Sequence, residues 1–366
     1  MNKPARILHL NPGGFRERGG MGRFLCYLIP AFEKRFADVA VNRAMDTYGP
    51  GDKKAMPFWF MLTWFKLVGT ILMGRVDFVH IHMASYGSVL RKGVLVVTAW
   101  ALRKPVLIHM HGGEFPAFIQ PLSPRVLGLT KWMINRATRV VVLGEYWKTF
   151  FATEMDVPVE KITIIHNGVP EPEDRASLER RNDPPVMLFL GRVEVPKGVP
   201  ELIAALARPE ARNHPWKAII AGEGDLDLYR AEVERAGLSD RIEFPGWIDH
   251  QGAIDLLRSS EIFVLPSHFE CFSIAVLEAM TAGATVLTTP VGALPDAIID
   301  GETGLMVPPK DDVALAEAVA RLVTDAPLRQ RLAKAAQERF YAMFTIDTTA
   351  ERLADLYREL VAERER

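Results

Sequence analysis

The sequence predicts an α/β protein with two doubly wound parallel sheets, and three observations carry that reading. Short apolar, β-branched runs alternate with longer helical stretches along the whole chain, the pattern of parallel strands covered on both faces. The series occurs twice, separated by PEPEDRASLERRNDPP, a polar, charged stretch closed by two prolines that reads as an interdomain linker. A length of 366 residues suits two domains better than one enlarged core.

Taken in order, the first series of strands is ARILHL, DFVHIHMA, KPVLIHMHG, TRVVVLG and KITIIHNG. The second is PVMLFLG, WKAIIAG, RIEFPG, EIFVLPS and ATVLTT. The expected domains are therefore residues 1–170 and 186–345, with 171–185 as the linker. The segment 346–366 carries Leu353, Leu356, Tyr357 and Leu360 at i, i+3, i+4, i+7 spacing, which predicts an amphipathic helix packing back on the first domain. Met56 to Gly74 is apolar and about long enough to cross a bilayer. It contains Lys66 and two threonines and runs straight into a strand, so a buried or half-buried helix is expected instead. Interfacial docking through Trp59, Phe60 and Trp64 is the alternative.

Composition narrows the function classes. Apolar residues make up 49% and charged residues 24%, ordinary for a globular protein. The two cysteines, Cys26 and Cys271, have no metal-ligand spacing, which argues against a disulfide framework and fits a reducing, cytoplasmic setting. The first residues, MNKPARILHLNPGG, read as a first strand rather than a signal peptide. The net charge of −1 hides an asymmetry: up to residue 150 there are 21 Lys+Arg against 8 Asp+Glu, leaving 23 and 37 for the rest. A basic half implies an anionic partner. No aromatic-basic RNA signature or zinc-finger spacing supports nucleic acid. A membrane surface or a phosphorylated acceptor is expected.

Three segments carry chemistry. Gly19-Gly20-Met21-Gly22-Arg23 lies between the first strand and a helical stretch; glycines there let backbone N–H groups approach a phosphate at a helix N-terminus. The segment is not G-x-G-x-x-G and lacks the acidic ribose partner of a dinucleotide site. Next, LFLGRVEVPKG presents Arg192 and Lys197 on a loop after a strand, placed to clamp a diphosphate. The third segment is PSHFECFSIAVLEAM, in which a strand feeds a helix expected to start near Phe272, with Glu270 before it and Glu278 eight positions later. The N–H groups of Ser273 and Ile274 would face a bound phosphate. Eight helical positions span about 12 Å, wider than the 5–9.5 Å that glycosidase carboxylates need. The two glutamates are therefore expected on different parts of one elongated ligand. Asp225-Leu226-Asp227 superficially matches an acidic metal-binding triplet, but its place at a probable helix start suits a cap. His80 and His82 point one way from a strand, as do His109 and His111. None of these pairs has metalloprotease spacing. His80 and His109 read as structural, as does His166 in the turn before Asn167-Gly168.

Read together, these residues resemble a known family. GGMGR, HMHGGEF, KITIIHNGV, LFLGRVEVPKG, IIAGEG, FPGW, PSHFECFSIAVLEAM and VGALPDAIIDGETGLMVPP occur in the order seen in retaining glycosyltransferases of family 4. The resemblance covers nearly the whole chain. It implies the GT-B fold, two Rossmann-like domains facing across a cleft, with domain closure about the linker. It also implies that Arg192 and Lys197 bind the donor diphosphate and Glu278 the ribose hydroxyls. Glu270 would face the donor sugar, with His111 beside it. Gly20, Gly22, Phe272, Ser273 and Ile274 complete the donor set, while His82 and Glu114 are expected on the acceptor. Cys271, Ala293 and Asp296 depart from the family's usual glycine, glycine and glutamate.

The expected function is retaining, metal-independent transfer from a UDP- or GDP-sugar, with no cofactor beyond the donor. The expected acceptor is a saccharide on a polyprenyl diphosphate in surface polysaccharide assembly, with the enzyme peripheral on the inner membrane face. The alternatives are a nucleotide-sugar epimerase or hydrolase of the same fold, and a non-catalytic nucleotide-sugar-binding subunit.

Overall fold

A computed structural model describes residues 3–12, 20–49, 56–176 and 182–365. Among them the chain divides into two compact units, residues 1–170 with 346–366, and residues 171–345. Each unit is built on one six-stranded parallel sheet.

In the first unit the strands are β1 (Ala5–Asn11), β2 (Ala40–Asp46), β3 (Phe78–Met83), β4 (Val106–Met110), β5 (Arg139–Val142) and β6 (Ile162–Ile164), in the order β2-β1-β3-β4-β5-β6. β3 and β4 are buried along their whole length, as apolar runs covered on both faces must be. β2 has no counterpart in the sequence reading. It is an edge strand whose AVNRAMD exposes Val41, Arg43 and Ala44, so it lacks the apolar run that marks its neighbours. The Gly20–Phe36 helix buries Phe24, Leu28 and Phe32 along one stripe. The Ile346–Glu365 helix buries Leu353, Leu356, Tyr357 and Leu360 in this same unit, with Tyr357 edge-on to Phe32 at 5.7 Å.

The Met56–Leu72 helix buries a single stripe, Thr63, Leu67 and Ile71. Trp59, Phe60 and Trp64 are half-buried, and the Trp64 indole donates to Thr98 Oγ1 at 2.9 Å. The residues that face outward are Phe58, Met61, Phe65 and Leu72, so the expected lipid-facing aromatics are corrected by one helical face. Among the described residues, no helix is long and apolar enough to cross a membrane.

In the second unit the strands are β7 (Val186–Leu190), β8 (Lys217–Ala221), β9 (Ile242–Gly246), β10 (Ile262–Leu265), β11 (Thr285–Thr288) and the two-residue β12 (Leu305–Met306), a further edge strand too short to show a pattern. Their order is β12-β11-β10-β7-β8-β9. Counted from β7 this is the doubly wound 3-2-1-4-5-6 sheet, whose topological switch point lies between β7 and β10. The expected linker groups with this unit. Its last residues are tied down by the buried Glu261 carboxylate, which accepts from the Asn182 and Val186 backbone N–H groups at 3.0 and 2.8 Å.

Candidate active site

Chain order alone brings the basic loop and the glutamate loop together. β7 and β10 are adjacent and parallel, so the segments leaving their C-terminal ends emerge side by side. After β7, Gly191 and Arg192 lead into a 3-10 turn, Val195–Lys197, and Gly198 adopts a left-handed φ of 74° before the Val199–Ala207 helix. After β10, Pro266 to Phe272 lead to the Ser273 cap of the Ile274–Thr281 helix. That helix begins two residues later than expected, because the Ser273 hydroxyl takes the N-cap role and accepts from Val276 N–H. The first-turn amides, including Ile274 N–H, have no intrahelical carbonyl and carry the positive end of the helix dipole.

Glycines that the sequence reading did not single out let these loops touch. A Cβ on Gly222 would lie 1.6 Å from the Gly191 carbonyl oxygen, one on Gly224 2.0 Å from that of Val193, and one on Gly198 2.0 Å from that of Pro266. Gly292, at φ +56°, would put a Cβ 1.9 Å from the Glu270 carbonyl oxygen. Backbone bonds then pin the loops: Val193 N–H to Glu223 O at 2.7 Å and His268 N–H to Pro196 O at 2.9 Å. Ala293, which stands where the family has glycine, sits at φ −97°, a conformation open to any L-residue.

The charged groups within this rim are paired. Lys197 Nζ donates to Glu270 Oε1 at 2.6 Å, and the Ser267 hydroxyl donates to the same oxygen at 3.1 Å. The Lys197 and Glu270 side chains are 24% and 10% exposed. Arg192 reaches Glu194 at 2.8 Å with 75% of its side chain exposed, so its guanidinium lies in solvent rather than buried. His268, unremarked in the sequence reading, is buried and lies 3.0 Å from Glu201. Glu278 is buried in the second turn of its helix. Phe272 is corrected in one respect: its ring packs on Phe344 at 5.6 Å, so its backbone, not its ring, borders the rim. Burial, reinforced by the Glu270 charge, pushes the Cys271 thiol well up, which keeps it protonated and a poor nucleophile. Asp225 caps the Leu226–Arg235 helix by accepting from Leu228 N–H at 3.3 Å.

In the first unit Gly20 opens its helix and Gly22 is buried in the first turn, while Gly19 lies outside the described residues. His111 follows β4, half-buried, and its Nε2 lies 3.0 Å from His82 Nδ1. His82 is fully buried, with its other nitrogen 2.9 Å from His9 Nδ1. Direct acceptor contact by the His82 ring is therefore corrected, because both nitrogens are already engaged and no ring surface is open. Glu114 sits at the cap of the Phe115–Ile119 helix, and burial together with the nearby Glu114 carboxylate pushes the Tyr86 hydroxyl up. Tyr86 is half exposed and held at φ 57°, a strained position for a bulky residue that no sequence signal betrays. Burial pushes His111 down to about 3 and His9 to about 4. Two trios, His9/His80/His82 and His82/His109/His111, place ring nitrogens within 4.8 Å of one another and are the groups that could hold a metal ion among the described residues. His166 is structural: it lies 3.2 Å from Arg352 in the last helix.

Comparison with known proteins identifies the family and the fold. The family model for glycosyl transferases group 1 matches residues 170–339, and that for glycosyltransferase family 4 matches residues 18–171. A Mycobacterium tuberculosis glycogen synthase is 31% identical over 301 residues, 80% of this chain and 71% of that protein. The Streptomyces kanamyceticus alpha-D-kanosaminyltransferase is 27% identical, over 70% and 71% of the two chains. Among solved structures, sucrose-phosphate synthase from Thermosynechococcus elongatus superposes with a TM-score of 0.78 at 22% identity, over 98% of this chain and 100% of the other. Anabaena HepE in complex with UDP and glucose gives 0.75 at 20% identity, over 97% and 100%. With two six-stranded parallel sheets of GT-B type and relatives of this similarity, the chain belongs to the family 4 glycosyltransferases.

Proposed function

We propose that the enzyme moves a sugar from a nucleoside-diphosphate sugar onto a saccharide acceptor, with retention of configuration and without a metal ion. The observation that carries this reading is the β7/β10 switch point, where the loop of Arg192 and Lys197 leaves beside the loop that opens the Ile274–Thr281 helix and Lys197 is bonded to Glu270. Departure of a nucleoside diphosphate puts negative charge on phosphate, and preorganised cations and N–H donors lower that barrier. Lys197 exchanges Glu270 for the diphosphate, and Arg192 swings onto it from the mouth. The freed Glu270 carboxylate then accepts from donor-sugar hydroxyls, and Glu278 takes the ribose hydroxyls. The family resemblance assigns Gly20, Gly22 and His111 to the donor and Glu114, with Tyr86 beside it, to the acceptor. The Arg192 and Lys197 cations supply what a divalent ion supplies elsewhere.

A lipid-linked acceptor fits the surface of the first unit. Phe58, Met61 and Phe65 are exposed on the Met56–Leu72 helix, Leu90, Val94 and Trp100 on the helix packed beside it, and Leu129 and Trp132 on the next. Exposed Lys66, Arg75, Arg103 and Arg125 accompany them. An apolar face with basic residues suits an anionic membrane surface. Flotation with anionic vesicles is expected to recover the protein, and Phe65→Asp to release it; no recovery of the unsubstituted protein removes the membrane.

The test of the reaction is nucleoside diphosphate release from UDP- and GDP-sugars with lipid-linked saccharides, followed by the anomeric configuration of the product. UDP-glucose is the first donor to try, since the HepE neighbour was solved with UDP and glucose. Transfer is expected to survive EDTA with the donor's anomeric configuration kept. Loss with chelator and recovery with Mn²⁺ would overturn metal independence, and an inverted product would overturn retention.

A further inference from the structure

Five of the six histidines of the first unit lie together: His9, His80, His82 and His109 on one face of three neighbouring strands, and His111 just past the end of β4. His9 is paired in register with His80, and His82 with His109, and residues two apart on a strand share a face. Through this cluster runs one unbranched chain of bonds. His111 Nε2 is 3.0 Å from His82 Nδ1, His82 Nε2 is 2.9 Å from His9 Nδ1, and His9 Nε2 is 2.9 Å from Asn42 Oδ1.

The end of the chain sets its direction. An amide oxygen only accepts, so His9 carries its proton on Nε2. A neutral imidazole has one N–H, so His9 Nδ1 accepts from His82 Nε2–H, and His82 Nδ1 in turn accepts from His111 Nε2–H. The lone pair of His111 is thereby left on Nδ1. Among the described residues, the other titratable groups facing the chain oppose a second proton. His80 stacks on His9 and His82 at 4.7 and 4.6 Å, with its own Nδ1 bonded to the Tyr357 hydroxyl at 2.8 Å. His109 stacks on His111 at 4.3 Å. The buried Lys92 ammonium donates to the His82 carbonyl oxygen and, after burial itself, is the strongest influence pushing His111 down. His9 and His82 spend both nitrogens within the chain, so no carboxylate can draw a second proton onto either through a hydrogen bond.

The two trios with nitrogens within 4.8 Å of one another invite a metal. The contacts argue otherwise: nitrogen pairs at 2.9 and 3.0 Å need a proton between them, and His9 and His82 lie nearly parallel at 16° rather than radiating from a common point.

The geometry points to His82, His9 and Asn42 as positioning residues that lock His111 as the neutral Nε2–H tautomer, with Nδ1 presented to accept a hydrogen bond from a substrate hydroxyl. The tautomer stands on the contacts alone; its use by a donor sugar rests on the function proposed above.

The test is long-range ¹⁵N–¹H correlation spectroscopy of the full chain labelled at histidine, between pH 6 and 8. His9, His82 and His111 are each expected to show a protonated Nε2 and an unprotonated Nδ1, constant over that range. Asn42→Leu is expected to shift His111 toward Nδ1–H. It should lower kcat/KM for the nucleotide sugar about three- to tenfold, the loss of one hydrogen bond, while nucleoside diphosphate affinity stays unchanged. Asn42→Asp, which keeps an acceptor-only oxygen, is expected to restore both tautomer and kcat/KM at pH 8. The proposal is overturned by Nδ1–H or a doubly protonated His111 in the unsubstituted protein, or by a stoichiometric metal on these rings. It is also overturned by a folded Asn42→Leu protein with unchanged tautomer and kinetics, or by Asn42→Asp restoring the melting temperature alone. Should Asn42→Leu not fold, the spectrum of the unsubstituted protein decides by itself. Absence of transfer from every nucleotide sugar would sink the proposed function and leave the tautomer result standing.

Discussion

Arg192 and Lys197 are the same kind of group five positions apart, yet the structure separates what each substitution should do. Arg192 is largely in solvent and paired with Glu194, and exposed pairs contribute little to stability. Arg192→Ala is expected to keep the melting temperature and slow turnover about tenfold to a few hundredfold, the worth of one charged hydrogen bond in the transition state. Lys197→Ala should slow turnover similarly and also destabilise the fold by about 1–3 kcal/mol, because it leaves the largely buried Glu270 with only the Ser267 hydroxyl. Steady-state kinetics beside melting curves checks both; full turnover by Arg192→Ala would remove that residue from the machinery. At this scale residue type was legible and partnership was not. Arg192 and Lys197 suggested a phosphate partner by their kind and their place after a strand, whereas the sugar role expected of Glu270 came from the family resemblance alone. The bond between Lys197 and Glu270 spans 73 positions, and the strained φ of Tyr86 has no sequence signature.

Among the elements, the loops of the second unit owe their closeness to glycines. Gly222→Ala would force a Cβ to 1.6 Å from the Gly191 carbonyl oxygen; it is expected to destabilise by about 1–3 kcal/mol, as overpacking does, and to lower donor affinity by displacing the Arg192 loop. Gly301→Ala, at φ +73° with nothing within 4 Å, should cost only the backbone term of about 1 kcal/mol and leave affinity intact. Equal affinities in the two variants would show that the close approach is not what shapes the rim. The apolar strands were readable because both faces are covered, and the last helix because its stripe is regular. β2 and β12 escaped because edge strands need no apolar run. The start of the Ile274–Thr281 helix was misread because Phe272 looked like its first apolar residue, whereas its ring belongs to Phe344 and Ser273 is the cap.

For the whole molecule, four buried histidines and the half-buried His111, all held neutral, make stability pH-dependent. His9 titrates near 6.5 when unfolded and near 4 when folded, so the unfolded chain binds more protons between those values. Stability is complete above about pH 6.5 and falls as pH drops toward 4, by about 2 kcal/mol for His9 alone at pH 5. His80, His82, His109 and His111 are shifted in the same direction. A steep fall in melting temperature between pH 6.5 and 5 is expected, and a flat profile would contradict neutral burial. Two sheets with their crossovers were legible at this scale. The 3-2-1-4-5-6 order that makes β7 and β10 neighbours was not, since strand order is a property of three-dimensional packing. That adjacency brings two distant loops side by side, where the diphosphate site is proposed. It is tested most directly by a crystal structure with a bound nucleoside diphosphate. The diphosphate is expected on Arg192, Lys197 and the Ile274 N–H, with Glu278 at the ribose. Nucleotide bound elsewhere, with Lys197 still on Glu270 and Arg192 in solvent, would contradict the account.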